Sequence, residues 1–174
     1  MAPARPLPFD PIREARRHWE SHGWEAAAAG MAAVTSVFRA QQIYLARVDS
    51  ALRPFGLTFA RYEVLMLLMF SRDGSLPLSK VGTRLQVHPT SITNAVDRLE
   101  QHGLIRRVRH PTDRRTTLAE VLPAGRRLAE KATAAINDEV FSTPGIGIPE
   151  VETLIAVLER LRSGAGDFEP RPDR

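Results

Sequence analysis

The 174 residues contain no cysteine. That removes disulfide frameworks, thiolate zinc sites and cysteine redox switches. Lysine is nearly missing too, since Lys80 and Lys131 are the only two among 24 basic side chains. Long apolar runs are lacking: the longest, Val64 to Phe70, is far too short to span a bilayer. The Pro-rich start MAPARPLPFDP holds no apolar stretch of the kind a secretion signal needs. These absences predict a cytoplasmic protein that makes no membrane contact. No nucleophile–base motif, phosphate-cradling glycine loop or metalloprotease motif is present, so no enzyme, no catalytic residue and no cofactor are expected. His18 and His22 have the four-residue spacing of two metal ligands on a helix. Two ligands make no site without others, so the pair reads as solvated and no metal is expected.

What is present supports one folded domain. Apolar residues make up 43% of the chain, enough for a core at this length. The most informative stretch runs from Leu76 to Leu122. In Ser79–Leu85, Val81 and Leu85 share one helical face. A break at Gln86-Val87-His88 follows, and Pro89 then sits where a helix tolerates it best, in the first turn. The next helix carries Ile92, Val96 and Leu99 at i, i+4 and i+7, an apolar stripe. Thr90, Asn94, Asp97, Arg98 and Gln101 point the other way. Small polar residues at the front of that outer face, with an arginine behind, suit a helix entering a DNA major groove. Gly103 closes the helix.

Beyond Gly103 the period shortens. Leu104–Arg109 reads as a basic strand, His110–Asp113 as a turn, and Thr116–Val121 as a returning strand. Helix, turn, helix and a two-stranded wing describe a winged helix-turn-helix. From Lys80 to Arg115, eight Lys/Arg face three acids, a balance of +5, whereas the whole chain is only +4. The positive charge gathers where phosphates would be met.

The run His88-Pro89-Thr90-Ser91-Ile92-Thr93-Asn94-Ala95-Val96-Asp97-Arg98-Leu99-Glu100, then Gly103-Leu104-Ile105-Arg106-Arg107, resembles the recognition helix of the MarR family of bacterial transcriptional regulators. Asp113-Arg114-Arg115, with Leu118 and then Leu122-Pro123-Ala124-Gly125, is similar to that family's wing and the entry to its next helix. The layout resembles the family over about residues 35–160, and specifically between about 59 and 125. The resemblance implies a homodimer on a near-palindromic DNA operator, often released by a small-molecule effector. It implies a wing in which Arg115 enters a minor groove, braced by Asp113. Ligands of the family commonly sit between the dimer helices and the winged domain. The N-terminal extension with Trp19 and Trp24 resembles the added helix of a urate-responsive subgroup. In that subgroup the ligand is met by a tryptophan here, an acid in the central helix, and an arginine in the recognition helix. Trp19 or Trp24 and Glu63 would fill the first two roles, and Ala95 stands at the third. With that cation missing, the aromatics read as packing residues and Glu63 as a weak effector candidate. The family's peroxide-sensing mechanism is excluded by the lack of cysteine.

The DNA-binding set is therefore His88, Thr90, Ser91, Thr93, Asn94, Arg98, Arg106, Arg107, Asp113, Arg114 and Arg115. The first residues of the recognition helix approach base edges. Asn94 can pair bidentately with adenine, worth about 1–3 kcal/mol of discrimination. Arg98, Arg106, Arg107 and Arg114 are expected on phosphates. His88, at the helix N-cap position, replaces the family's usual Ser or Thr and caps less well.

The expected fold is mainly α: a winged helix-turn-helix with N- and C-terminal dimerisation helices. Residues 1–8 are expected to be disordered, and 9–57 to form a helical N-terminal extension. Within it, helices run from Asp10 to Glu20 and from Trp24 to about Leu52, where Arg53-Pro54-Phe55-Gly56 stops the second. Near-heptad apolar positions on that long helix (Val34, Val37, Phe38, Tyr44, Val48, Leu52) call for a second surface, most simply a partner subunit. Residues 58–122 form the DNA-binding domain, with Thr58–Ser71, apolar nearly all round, as its central helix. Residues 123–162 hold two further dimerisation helices, from Gly125 to about Phe141 and from Glu150 to Leu161, and 163–174 are expected to be a flexible tail. Two other readings fit the same pattern. One is a winged-helix module that docks on protein, and the other a sequence-tolerant architectural DNA binder.

Overall fold

The computed structural model describes residues 6–86, 89–113 and 115–169. Of the expected features, His88 and Arg114, residues 1–5 and the end of the tail lie outside them. The first helix, α1 (Pro11–Ser21), begins where Asp10 accepts a hydrogen bond from the Ile12 N–H at 2.9 Å, with Pro11 in the first turn. It turns at Gly23, whose φ of 81° suits only glycine, and packs back on α2 (Glu25–Leu52). At 28 residues, α2 is about 42 Å long. It reaches the core only at its far end, through Val48, Ala51 and Leu52, while Ala28 is buried near its start. A 3-10 turn, Arg53–Phe55, and the left-handed Gly56 end it.

The central helix α3 (Phe59–Met69) buries Tyr62, Val64, Leu65 and Leu68. Strand β1 (Ser75–Pro77) leads into α4 (Leu78–Leu85), whose Val81 is fully buried. Gln86 ends α4 with a φ of 52°, the single left-handed non-glycine among the described residues. Helix α5 (Pro89–Gln101) follows, then the wing strands β2 (Ile105–Arg109) and β3 (Thr117–Val121). The sequence predicts a two-stranded wing, and the structure has three strands in the order β1-β3-β2, all antiparallel. Strand β1 pairs Ser75 with Glu120 and Pro77 with Leu118. Its proline is tolerated because the strand lies at the sheet edge.

The chain returns through α6 (Pro123–Ile136), a π-helical turn at Asn137–Phe141, and α7 (Ile148–Gly164). Ala129, Ala132, Ile136 and Val140 complete one core with α3, α5 and the end of α2. Polar ties lock this return: Tyr62 Oη lies 3.0 Å from Thr133 Oγ1, and Arg47 donates to the carbonyls of Glu139 and Thr143. The segment from Ser163, expected to be a flexible tail, instead continues α7 to Gly164 and folds back as far as Phe168. There the Arg162 guanidinium pairs with Asp167 at 2.7 Å and stacks on the Phe168 ring, and Gln86 donates to the Asp167 carbonyl at 2.7 Å.

The entry to α6 leaves no room for a side chain at Gly125. A Cβ there would stand 2.1 Å from the Leu104 carbonyl oxygen, and that backbone is itself fixed by accepting from the Leu122 N–H at 2.9 Å. Gly125→Ala should therefore destabilise by about 1–3 kcal/mol, the range for overpacking. A thermal melt should show Tm lower by several degrees, and an unchanged Tm would refute the close approach.

Candidate nucleic-acid interface

Helix α5 is seated by Ile92, Ala95, Val96 and Leu99, all buried. Three of them are the stripe read from the sequence, and Ala95 adds to it. Because those four face the core, the opposite side is fixed in space: Thr90, Ser91, Thr93, Asn94 and Arg98 are all exposed. Arg98 Nη1 donates to Gln101 Oε1 at 3.3 Å, and the Arg98 carbonyl meets His102 Nδ1 at 2.6 Å. The position where the urate-type arginine would stand, Ala95, is 6% exposed and packs inward.

Side chains alternate along β2, so Ile105, Arg107 and Arg109 share one side, and Arg106 and Val108 the other. Ile105 is buried in the core. Arg107, next on that side, reaches α5: Nη2 lies 2.5 Å from Asp97 Oδ1, Nη1 pairs with Glu100 Oε2, and its backbone N–H donates to Glu100 Oε1 at 2.8 Å. Burial opposes the Arg107 charge, but the two carboxylates outweigh it and hold the guanidinium above its ordinary pKa. On the opposite side, Arg106 makes a two-pronged pair with Glu120, its cross-strand partner, at 3.0 Å for each contact. Arg106 and Arg107, two of the four arginines expected on phosphates, thus already hold carboxylates. Arg109, absent from the expected set, is exposed at the outer end of β2 and has no ion-pair partner among the described residues. The signal that could have found it was its strand parity with Ile105 and its lack of an acid opposite, since Thr117 faces it.

The wing tip is organised by Asp113. Its carboxylate accepts from the Arg115 N–H at 3.0 Å and from Thr116 Oγ1 at 2.7 Å, while the His110 N–H donates to the Thr116 carbonyl at 3.1 Å. The brace expected between Asp113 and the Arg115 guanidinium therefore goes to the backbone, because a carboxylate two residues back is placed for an Asx-type turn. The Arg115 side chain is exposed and has no ion-pair partner among the described residues. The hydroxyl of Thr116 and the amide of Arg115 hold the Asp113 carboxyl below its ordinary pKa.

The weak effector candidates are not assembled into one site. Trp19 and Trp24 meet edge to face at 5.3 Å, at the corner between α1 and α2, with the His22 ring 5.6 Å from Trp24. Glu63 stands half-buried on α3, its pKa raised by that burial. A separate apolar cavity of about 490 Å³ opens between α2, the start of α3 and the π-helical turn, lined by Tyr44, Leu45, Val48, Phe59, Val140 and Phe141 among others. Among the described residues no three His, Asp or Glu side chains gather as metal ligands, and no helix is long and apolar enough to cross a membrane.

A three-helix core, an exposed second helix of a helix-turn-helix and a hydrogen-bonded wing define the winged helix-turn-helix class. The sequence profile of the MarR family matches residues 57–117. A solved MarR family transcriptional regulator of Streptomyces coelicolor, Sco5413, is 47% identical, with a TM-score of 0.74 over 82% of this chain and 99% of that one. The transcriptional regulator MhqR of Bacillus subtilis is 35% identical over 65% of this chain and 77% of its own length. The same fold recurs, at 22% identity and a TM-score of 0.67, in Sco3205 of Streptomyces coelicolor, solved in complex with DNA, over 81% of this chain and 92% of that one. The chain belongs to the MarR family of transcriptional regulators.

The Asp113 hydrogen bonds carry a sign. A carboxyl whose folded pKa lies below its unfolded value contributes above the unfolded pKa, and its contribution is lost as pH falls through the folded one. A carboxyl ¹³C titration of Asp113 should give a midpoint below about 3.9, the value of a free aspartate. Thr116→Val should move that midpoint up, and a wild-type midpoint at or above the free value would contradict the arrangement.

Proposed function

We propose that this chain is a homodimeric, sequence-specific DNA-binding regulator of transcription that occupies a near-palindromic operator. In this reading it is a cytoplasmic repressor, released by a small apolar effector, with no catalytic role. The observation that carries it is the fixed outward face of α5, with Asn94 exposed beside a wing whose Arg115 guanidinium has no carboxylate partner among the described residues. Asn94, Ser91, Thr90 and Thr93 meet base edges in a major groove. Arg115 enters the adjacent minor groove, where a narrow A·T tract concentrates negative potential. Arg98 and Arg109 take phosphates, as would His88 and Arg114. The apolar cavity beside Phe59 and Val140 is a better place for an effector than Trp19, Trp24 or Glu63, which are not gathered on it.

The dimer rests on unpartnered apolar surface. No residue of α7 is buried, and Ile148, Ile155, Val157 and Leu161 are about half exposed or more. On α2, Val34, Val37 and Phe38 are likewise open. Helices in proteins draw most of their stability from packing an apolar face, and α7 has no buried residue, so its open face calls for a partner, and a second copy offers both faces at once. Two recognition helices related by a two-fold axis then read half-sites roughly 34–36 Å apart.

Fluorescence anisotropy tests the DNA reading. A duplex selected by the protein from a random library is compared with a scrambled one at about 150 mM salt, and a preference of roughly a thousandfold is expected. Arg115→Ala should abolish most specific binding. Asn94→Ala should cost about 1–3 kcal/mol of discrimination at one base position. Equal weak binding to both duplexes, with a steep salt slope, would replace this reading with an architectural binder. No binding by a folded dimer would replace it with a protein-docking module.

Light scattering tests the dimer. A species of twice 19.3 kDa is expected, and Ile155→Glu should shift it to monomer while the winged core stays folded by circular dichroism. A wild-type monomer at micromolar concentration would overturn the proposal.

A further inference from the structure

Arg107 presents a contradiction between composition and contact. By sequence it is one more cation in a basic wing. In the structure its fork lies between Asp97 and Glu100, one turn apart on α5, and its own backbone N–H is bonded to Glu100 as well. All three side chains are part-exposed, 29% for Arg107 against 44% for Asp97 and 35% for Glu100. The cluster as a whole carries one net negative charge. It lies between the reading helix and the wing, a place where an isolated acid would repel DNA.

Two acids on a DNA-facing element work against the phosphate attraction that supplies most affinity. A bare phosphate-binding role for Arg107 would not need them. A fixed angle between helix and strand does, because a guanidinium held at both nitrogens by carboxylates on one rigid helix has little rotational freedom. The first rung of the wing is already fixed by buried Ile105 and its partner Val121, so that β2 itself enters the core only through Ile105. Arg107 lies further out, opposite Ala119 in the ladder, and adds a second point of attachment. Two points along a strand define a direction where one point leaves a hinge. A strand rises about 3.4 Å per residue, so a tip four residues beyond Arg107 is about 14 Å out, and a swing of about 10° would move it about 2 Å. That is the difference between a guanidinium on a groove floor and one beside the backbone.

We infer that Arg107, Asp97 and Glu100 form a positioning clamp that sets the wing against the recognition helix, so that Asn94 and Arg115 reach adjacent grooves in register. The inference rests on the DNA-reading function proposed above. Arg107 is thus a positioning residue for specificity and contributes no phosphate contact of its own. The clamp acts on the two base-reading elements together, so it governs preference between sequences more than total affinity. Asp97 and Glu100 are specificity residues of the same unit, although neither meets DNA.

The two roles separate in one set of measurements on the full-length dimer. Kd is measured by anisotropy against the library-selected duplex and a scrambled duplex, from about 100 to 300 mM salt. The variants are Arg107→Ala, Arg107→Lys, and the double variant Asp97→Asn/Glu100→Gln. A phosphate contact contributes about 0.9 to the slope of log K against log salt. For the clamp, Arg107→Ala should leave that slope as in wild type while the preference for the selected duplex falls tenfold or more. The double variant, which removes two negative charges, should bind scrambled DNA more tightly and yet lose preference by a similar factor. Arg107→Lys, which keeps the charge but not the fork, should lose preference as well. A slope reduced by about 0.9 with preference retained in Arg107→Ala would overturn the clamp in favour of a phosphate contact. Tighter binding with full preference in the double variant would overturn it also.

If wild type itself shows no preference, the proposed function fails, and the clamp is judged without DNA. Hydrogen exchange of peptides covering 105–121 should then be faster in Arg107→Ala and in the double variant, with peptides of α3 and α6 unchanged. Unchanged wing exchange would sink the clamp, whereas faster exchange everywhere would mark Arg107 as a general stability residue and also refute it.

Discussion

The seating of α5 on the core is the constraint from which the rest of the structure follows. Val96 and Leu99 are within 1% of complete burial, with Ile92 and Ala95 close behind. Burying side chains of this size stabilises by about 1.5–3 kcal/mol each, and one good base contact supplies about 1–3 kcal/mol. The summed burial therefore exceeds what any one base pair can offer. Turning the helix by one residue, 100°, would expose that stripe and bury polar side chains, so DNA cannot re-aim the helix. Recognition by this chain is a matter of fixed presentation: the core decides which residues look outward, and the sequence of those residues decides what is read. The Gly125–Leu104 contact extends the same logic. It draws α6 against the end of the helix-turn-helix unit, so the C-terminal helices are built directly onto the reading half.

Two long apolar faces remain outside this core, and their placement gives them meaning. Helix α2 touches the core only at its C-terminal end, and α7 buries nothing. Both are joined to the winged unit by short, hydrogen-bonded connections. Arg47 holds the π-helical turn by the Glu139 carbonyl and the loop after it by the Thr143 carbonyl, and Tyr44 holds that loop by the Pro144 carbonyl at 2.8 Å. The fold-back after α7 meets Gln86 at the helix-turn-helix break. The end of α7 is therefore tied to the end of α4, and α2 to the connection between α6 and α7. An effector in the cavity between α2, α3 and the π-helical turn would press on the Arg47 and Tyr44 ties. Shifting the operator-binding state by such a ligand requires only a difference in its affinity for two arrangements of these elements.

How much of this the sequence discloses differs from element to element for identifiable reasons. The helix-turn-helix was legible because Ile92, Val96 and Leu99 keep a helical period that no strand could use, and Gly103 marks its end. The long helix and its stop at Arg53-Pro54-Phe55-Gly56 were legible for the same reason. Strand β1 was not, because three residues ending in proline have no alternation to detect and pair only where β3 is already in place. The turns after Ser163 were invisible because their anchors, Gln86 and the Arg162–Asp167 pair, join distant or flexible residues. In the site, the exposure of Asn94 and Arg98 followed directly from helical phase. The partners of Arg106 and Arg107 did not, because strand register and helix–strand packing bring Glu120, Asp97 and Glu100 to them from 14, 10 and 7 residues away. Asp113 was recognised as a brace, but its backbone target depends on turn geometry that spacing alone leaves open.

The eight basic residues between Lys80 and Arg115 overstate what the surface offers to DNA, because Arg106 and Arg107 are already neutralised by carboxylates. Among the described residues, Lys80, Arg84, Arg98, Arg109 and Arg115 remain without an ion-pair partner. Each phosphate contact adds about 0.9 to the salt slope, so counting the two paired arginines as contacts would overstate it by roughly 1.8 per half-site. The paired charges instead stiffen the wing at both of its faces, Arg106 across the strands and Arg107 onto the helix. In this chain, part of an arginine-rich wing's basic character is spent on shape, which lets a small number of free cations be held where they can distinguish one groove from another.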